Sequence, residues 1–220
     1  MRNEALAALT LFTLLVLPRD AGLALASLDL HYAELSFDCV AGELPSSCSQ
    51  VVVNHPSPGE AVYQLTVLAQ LCTQDGAISA AQFGVDYESA GQVTGVFTGW
   101  TTCNGAPYVT IDGPNGAWPA SGSAVAVRFD DCVVPSSEFG FVPIGVLPVL
   151  AASPAFGLVD VIPDPVTDLV ALVTCEEFQV GVSPENRGSF SFGGNSGREG
   201  CPACAIPVES VTWSRVKASF

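Results

Sequence analysis

AVYQLTVLAQL, residues 61–71, is the stretch that decides the fold class. Tyr63, Leu65, Val67, Ala69 and Leu71 alternate with Gln64, Thr66, Leu68 and Gln70. A period of two sends successive side chains to opposite faces of a pleated strand, whereas an amphipathic helix needs apolar residues at spacings of three and four. The same alternation recurs in Phe83, Val85 and Tyr87, in Val96, Thr98 and Trp100, and in Val125, Val127 and Phe129. Between these runs lie turn formers: Asn54-His55-Pro56-Ser57-Pro58-Gly59, Asp75-Gly76, Asn104-Gly105, Asp112-Gly113-Pro114-Asn115-Gly116 and Ser121-Gly122. Short alternating strands punctuated by Gly, Pro and Asn predict an all-β chain, folded as an antiparallel β-sandwich.

The most apolar segment, Phe141 to Val159, has to be reconciled with that reading. A mean hydropathy of +0.42 with 13% charged residues invites a membrane helix there. Pro143, Pro148 and Pro154 recur through the segment, however, and each removes a backbone donor and breaks a helix. The segment is read as short strands and turns of a buried sheet, and the excess hydrophobicity is assigned to the sandwich core.

Residues 1–26 have the build of a secretory signal peptide. Arg2 precedes the apolar run Ala5 to Leu17, which is too short to span a bilayer, and Ala24-Leu25-Ala26 forms a small-residue cleavage site. The expected organisation is a signal at 1–26, a β-sandwich domain at 27–182, and a Gly/Ser-rich loop carrying a CxxC motif at 183–207. A short helix or tail at 208–220 follows, where Trp213, Val216 and Phe220 are three and four apart and Arg215 and Lys217 come late. The expected compartment is extracellular or the cell surface, with the periplasm as the alternative, and no transmembrane helix remains after cleavage.

Removing residues 1–26 takes away two acids and two bases, so the net charge stays at −15. The remaining cations are Arg128, Arg187, Arg198, Arg215 and Lys217, which form no basic patch. Nucleic-acid binding is excluded on that ground, because each phosphate contact needs a cation. The acidity suits divalent cations or basic partners.

Cys39, Cys48, Cys72, Cys103, Cys132, Cys175, Cys201 and Cys204 all lie beyond the signal. An even set in an exported chain reads as a disulfide framework. Eight cysteines allow on the order of a hundred connectivities. Short loops favour Cys39 with Cys48 and Cys201 with Cys204, leaving Cys72 with Cys103 and Cys132 with Cys175. Cys201-Pro-Ala-Cys204 also has the form of redox and zinc motifs. It follows a Gly-rich loop rather than opening a helix, and no second CxxC or paired histidines complete a zinc site.

Catalytic machinery is sparse, so no catalytic residue is assigned. His31 and His55 are isolated, and there is no G-x-S-x-G elbow, phosphate-binding loop or dinucleotide fingerprint. Asp130, Asp131, Glu138, Glu176 and Glu177 are the carboxylates from which a glycosidase pair would be drawn. Asp160, Asp164 and Asp168 in VDVIPDPVTDL form the candidate calcium set, since hard cations take several oxygens from one loop; no other cofactor is expected. Trp118, in the loop GPNGAWP, is the candidate ligand-stacking aromatic, either exposed for a sugar or tucked over the sandwich edge.

Ile78 to Trp100, ISAAQFGVDYESAGQVTGVFTGW, resembles a strand pair of cohesin-like β-sandwich modules, with Phe83, Val85, Tyr87 and Glu88 in their aromatic-x-apolar-x-Tyr-acid pattern. The resemblance covers about a tenth of the chain and implies a cohesin-like or immunoglobulin-like sandwich. Cohesin modules are usually poor in cysteine, so dockerin binding is not carried over. The whole layout also resembles secreted, cysteine-bearing sandwich proteins of environmental bacteria, a likeness that implies no activity. The expected function is a secreted or cell-surface, non-enzymatic module for adhesion, assembly or protein interaction, with an extracellular protein or glycan as partner. A carbohydrate-binding module and a secreted glycoside hydrolase are the alternatives.

Overall fold

A computed structural model of the chain describes residues 26–33, 39, 44–56, 61–72, 76–87, 95–135, 140–151, 157–194 and 196–201. The signal segment before Ala26, Glu138, Cys204 and the terminal stretch 208–220 therefore lie outside the described residues. What is described is a β-sandwich with no α-helix, and among the described residues no helix is long and apolar enough to cross a membrane.

The first sheet runs β1 (Ala26–Ala33), β3 (Ala61–Leu71), β9 (Val142–Ala151) and β5 (Gly95–Phe97), with β6 (Thr101–Thr102) also on β9. β3 lies between β1 and β9, antiparallel to both. β9 carries Pro143 and Pro148 through the middle of this sheet. The carbonyl of Pro148 accepts from the Thr98 amide at 3.0 Å, and the neighbouring strand is interrupted between β5 and β6 opposite this site, where proline has no N–H to offer. At Pro143 the register with β3 shifts by one residue around Ile144.

The second sheet has at its centre β4 (Ile78–Asp86). On one side lie β8 (Ser123–Val133) and then the edge strand β7 (Tyr108–Ile111). On the other side the sheet forks. The first half of β4 pairs with β11 (Ala171–Thr174), which carries β12 (Gln179–Gly181); the second half pairs with β10 (Gly157–Ile162), followed by β13 (Ser189–Phe192) and β2 (Asn54–His55). The main core lies between the sheets: Leu28, Leu30, Leu65, Val67, Phe83, Val85, Val125, Val127, Ile144, Leu147, Val159 and Phe190 are all within it and buried. The predicted alternation of β3, β4 and β8 supplies this layer.

Two expectations are corrected. The stretch from Ser183 is not an exposed loop, because Ser189–Phe192 enters the second sheet fully buried, with Phe190 and Phe192 in the core. Four residues of Ser-Phe alternation are too short a signal to stand out from their glycine-rich flanks. Leu68, the apolar residue on the polar side of β3, faces a second small core with Val51, Val53 and Phe141, bordered by Leu44, Cys48 and Cys201. This layer covers the outer side of the first sheet, so Ser27, Asp29, Thr66 and Gln70 are buried. Finally, the disulfides with both cysteines among the described residues include Cys39–Cys103, Cys48–Cys201 and Cys132–Cys175; only the last of these is one of the preferred pairs. Cys72 is also disulfide-bonded, and no described cysteine is free. Short loop length misled the pairing, because tertiary packing brings distant half-cystines within the 5–6 Å Cα separation that a bridge needs.

Candidate functional site

The outer side of the second sheet holds a concavity of about 400 Å³. Its geometry follows from two ladder rows of directly opposed residues. One row runs Gly181, Ala171, Gln82, Ala126 and Val109 across β12, β11, β4, β8 and β7. The next runs Gln179, Val173, Ala80 and Arg128. Opposed residues share a face, so small side chains at Gly181, Ala171, Ala126 and Ala80 leave a dip where larger ones would have filled the surface. Gln82 is drawn to one side, donating from Nε2 to Asp164 Oδ2 at 2.7 Å and to Thr167 Oγ1 at 2.9 Å. Pro107, Tyr108, Val109, Val173, Gln179 and Arg128 rim the dip.

Large apolar side chains exposed to solvent occur on the strands and connecting segments of this sheet, and two of them, Tyr108 and Val109, line the concavity. Tyr108 and Val109 are on β7, Val134 follows β8, Val166 and Leu169 are in the fork loop 163–170, and Phe178 is in the β11–β12 turn. Val109 and Val166 are 68% and 77% exposed. The two remaining ones, Val52 and Leu150, belong to the first sheet's side.

Cys132–Cys175 ties the end of β8 to the end of β11 with 5.7 Å between Cα atoms. Its sequence neighbours Asp130, Asp131, Glu176 and Glu177 are all exposed there, and Asp168 is exposed in the fork loop. Four of the five carboxylates considered for hydrolysis thus face solvent, along β8 past the lining residue Arg128 and just beyond β11 past the lining residue Val173.

The calcium set is not brought together. Asp164 is fully buried and its oxygens serve protein donors: Oδ1 accepts from the amides of Val166 and Thr167 at 2.6 and 3.1 Å, and Oδ2 accepts from Gln82. Asp168 is exposed in the loop, and Asp160 lies in β10 directly opposite Asp86 of β4. Among the described residues no three His, Cys, Asp or Glu side chains converge as metal ligands. Asp164 is a loop-closing residue, which holds the fork loop where the two halves of β4's pairing diverge.

The pair formed by Asp86 and Asp160 escaped the sequence reading, because nothing in a linear sequence sets residue 86 beside residue 160. Burial, then the charge of Asp86, raises the Asp160 carboxyl above its ordinary range, and Arg198 opposes the shift. Ser121 donates to Asp86 Oδ1 at 2.6 Å. These carboxylates sit side by side on one sheet rather than facing across a cleft.

Trp118 is tucked, not exposed. Its ring centroid lies 5.5 Å from that of Trp100 and 5.7 Å from that of Phe83, edge to face in both cases. Trp100 in turn lies over Gly145 of β9, where any Cβ would run into its ring. The stacking role proposed for Trp118 is therefore corrected: a ring buried in this cluster offers no face to a sugar. His31 and His55 are structural too. Nδ1 of His31 accepts from the Val52 amide at 2.9 Å, which fixes the neutral form, and burial lowers its pKa. His55 packs between Tyr32 and Tyr63 at 4.5 and 5.4 Å.

No protein-family model matches the chain, and no curated protein matches it. Among solved structures, it is similar to the cohesin module of a family 33 glycoside hydrolase from Clostridium perfringens, with 6% identity, 77% of this chain and 96% of that chain covered, and a TM-score of 0.45. A type II cohesin domain from the cellulosome of Acetivibrio cellulolyticus aligns with 8% identity, coverage of 72% and 91%, and a TM-score of 0.40. The cohesin–dockerin complex of type I from Clostridium thermocellum gives 5% identity, coverage of 71% and 93%, and a TM-score of 0.40.

Proposed function

We propose that this protein is a non-catalytic interaction module, exported from the cell, that binds a protein partner on the outer face of its second sheet. The observation that carries this reading is the coincidence of an apolar, alanine-floored concavity with the exposed large hydrophobic residues Tyr108 and Val109 that line it. Exposed apolar patches on soluble domains mark interaction surfaces, since leaving them in water is costly and invites association. The extracellular assignment is supported by the described cysteines, all of which are in disulfides, bonds that persist in oxidising compartments.

The test is a displayed random-peptide library selected on the exported chain. Ala126→Trp fills the floor of the dip, and Val52→Asp alters an exposed residue on the first sheet's side. Recovered peptides are expected to bind Ala126→Trp about tenfold more weakly or worse, a loss of roughly 1.4 kcal/mol, and to bind Val52→Asp unchanged. Peptides indifferent to Ala126→Trp, or turnover of a polysaccharide by the protein, would overturn the reading.

A further inference from the structure

We infer that the partner segment taken by this face is cationic and amphipathic, its apolar side chains entering the alanine-floored dip and its lysines or arginines meeting the carboxylates at the margins. The inference rests on the docking reading above and adds the partner's charge. The apolar part of the match is set by Ala80, Ala126 and Ala171 below and by Tyr108, Val109 and Val173 at the sides. The polar part is set by Asp130, Asp131, Glu176 and Glu177, gathered at one end by Cys132–Cys175, and by Asp168 in the fork loop. Against these five carboxylates the concavity presents one cation, Arg128.

The margin's sign matches that of the whole chain, whose net charge is −15. An anionic segment would meet like charge during approach as well as in contact, whereas a cationic one is steered in. Exposed carboxylates are screened over a distance of about 8–10 Å at ordinary salt. The polar contribution should therefore depend on ionic strength while the apolar contribution does not.

Two synthetic fourteen-residue amphipathic peptides of matched apolar content, one built from leucine and lysine and one from leucine and glutamate, are titrated into the exported chain at low and high salt. The Leu/Lys peptide is expected to bind with one-to-one stoichiometry, and the Leu/Glu peptide at least tenfold more weakly. Ala126→Trp should weaken Leu/Lys binding at both salt concentrations. The combined variant Asp130→Asn, Asp131→Asn, Glu176→Gln and Glu177→Gln should weaken it about tenfold at low salt and remove most of the salt dependence. Val109→Asn, a neutral polar change at an exposed edge position, serves if Ala126→Trp fails to fold, and is expected to weaken binding of both peptides. Equal binding of the two peptides, abolished by the groove variants, would overturn the cationic assignment while leaving the face as a docking surface. Leu/Lys binding that survives every groove variant and tracks net charge alone, or no binding at all, would overturn both.

Discussion

Asp29 is a carboxylate under an unusual load. It sits on the outward side of β1, yet the covering layer buries it, and burial raises its pKa from 3.8 to about 6 against the lowering effects of the Gly200 amide and the Ser27 hydroxyl. The Gly200 N–H donates to Oδ1 at 2.6 Å and the Ser27 hydroxyl to Oδ2 at 3.0 Å. Between about pH 4 and 6 the folded state keeps a proton that the unfolded chain has released, so this residue favours folding at low pH and loses that contribution as pH rises through 6. A shift of this size corresponds to about 3 kcal/mol. Urea unfolding of Asp29→Asn against the parent should show the variant gaining on the order of 2–3 kcal/mol relative to the parent between pH 4 and pH 7; a flat difference would refute the assignment. His31, two residues on, works in the opposite sense. Its lowered pKa means that the unfolded chain takes up a proton first, so stability present above the ordinary value near 6.5 is lost as pH falls below it.

At the scale of elements, the fork in the second sheet and the indole cluster over β9 are the places where single changes should propagate. Asp164→Ala leaves the amides of Val166 and Thr167 without their acceptor and frees Gln82. Loss of this part-buried set of hydrogen bonds should cost about 1–3 kcal/mol in all, and with roughly 2–4 °C per kcal/mol in a domain of this size the melting temperature should fall by about 2–12 °C. Calorimetry checks it, and an unchanged midpoint would contradict the loop-closing role. Gly145→Val should evict the Trp100 ring and loosen its contact with Trp118 and Phe83. A red shift of tryptophan emission together with a loss of about 3 kcal/mol or more is expected; emission identical to the parent's would mean the ring finds another seat. Strands were readable wherever alternation ran for several residues, as in β3, β4 and β8, because the period of two is a local property of the backbone. β13 and the fork were not, since a four-residue strand carries little pattern and a fork is a relation among β4, β10 and β11. The site fared similarly: Asp160, Asp164 and Asp168 are close in sequence, but the pleat and the loop turn them to different neighbours. The alanine floor belongs to three strands whose register no local pattern states.

At the scale of the whole molecule, disulfides join regions that strand pairing leaves apart. Cys39–Cys103 and Cys48–Cys201 span 64 and 153 residues, and closing loops of such length is worth about 4–5 kcal/mol each when chain entropy is counted alone. Peptide mapping without reduction should recover both linkages together with Cys132–Cys175, and finding Cys39 joined to Cys48 would reject this arrangement. Replacing Cys48 and Cys201 together by serine is expected to lower stability by about 3–5 kcal/mol, measured by urea unfolding under oxidising conditions. The same long bridge bears on the order in which the molecule is completed. β1 is the first described strand of the chain and an edge of its sheet, and its outer flank is sealed by residues from far downstream: the Gly188 amide bonds the Leu28 carbonyl at 2.8 Å and the Gly200 amide bonds Asp29. A chain emerging from its N-terminus therefore presents an open strand edge around Leu28 and Asp29 until about 160–170 more residues have followed. Throughout that interval the nascent protein is a template for unwanted strand addition, and the Cys48–Cys201 bond records that the gap has shut.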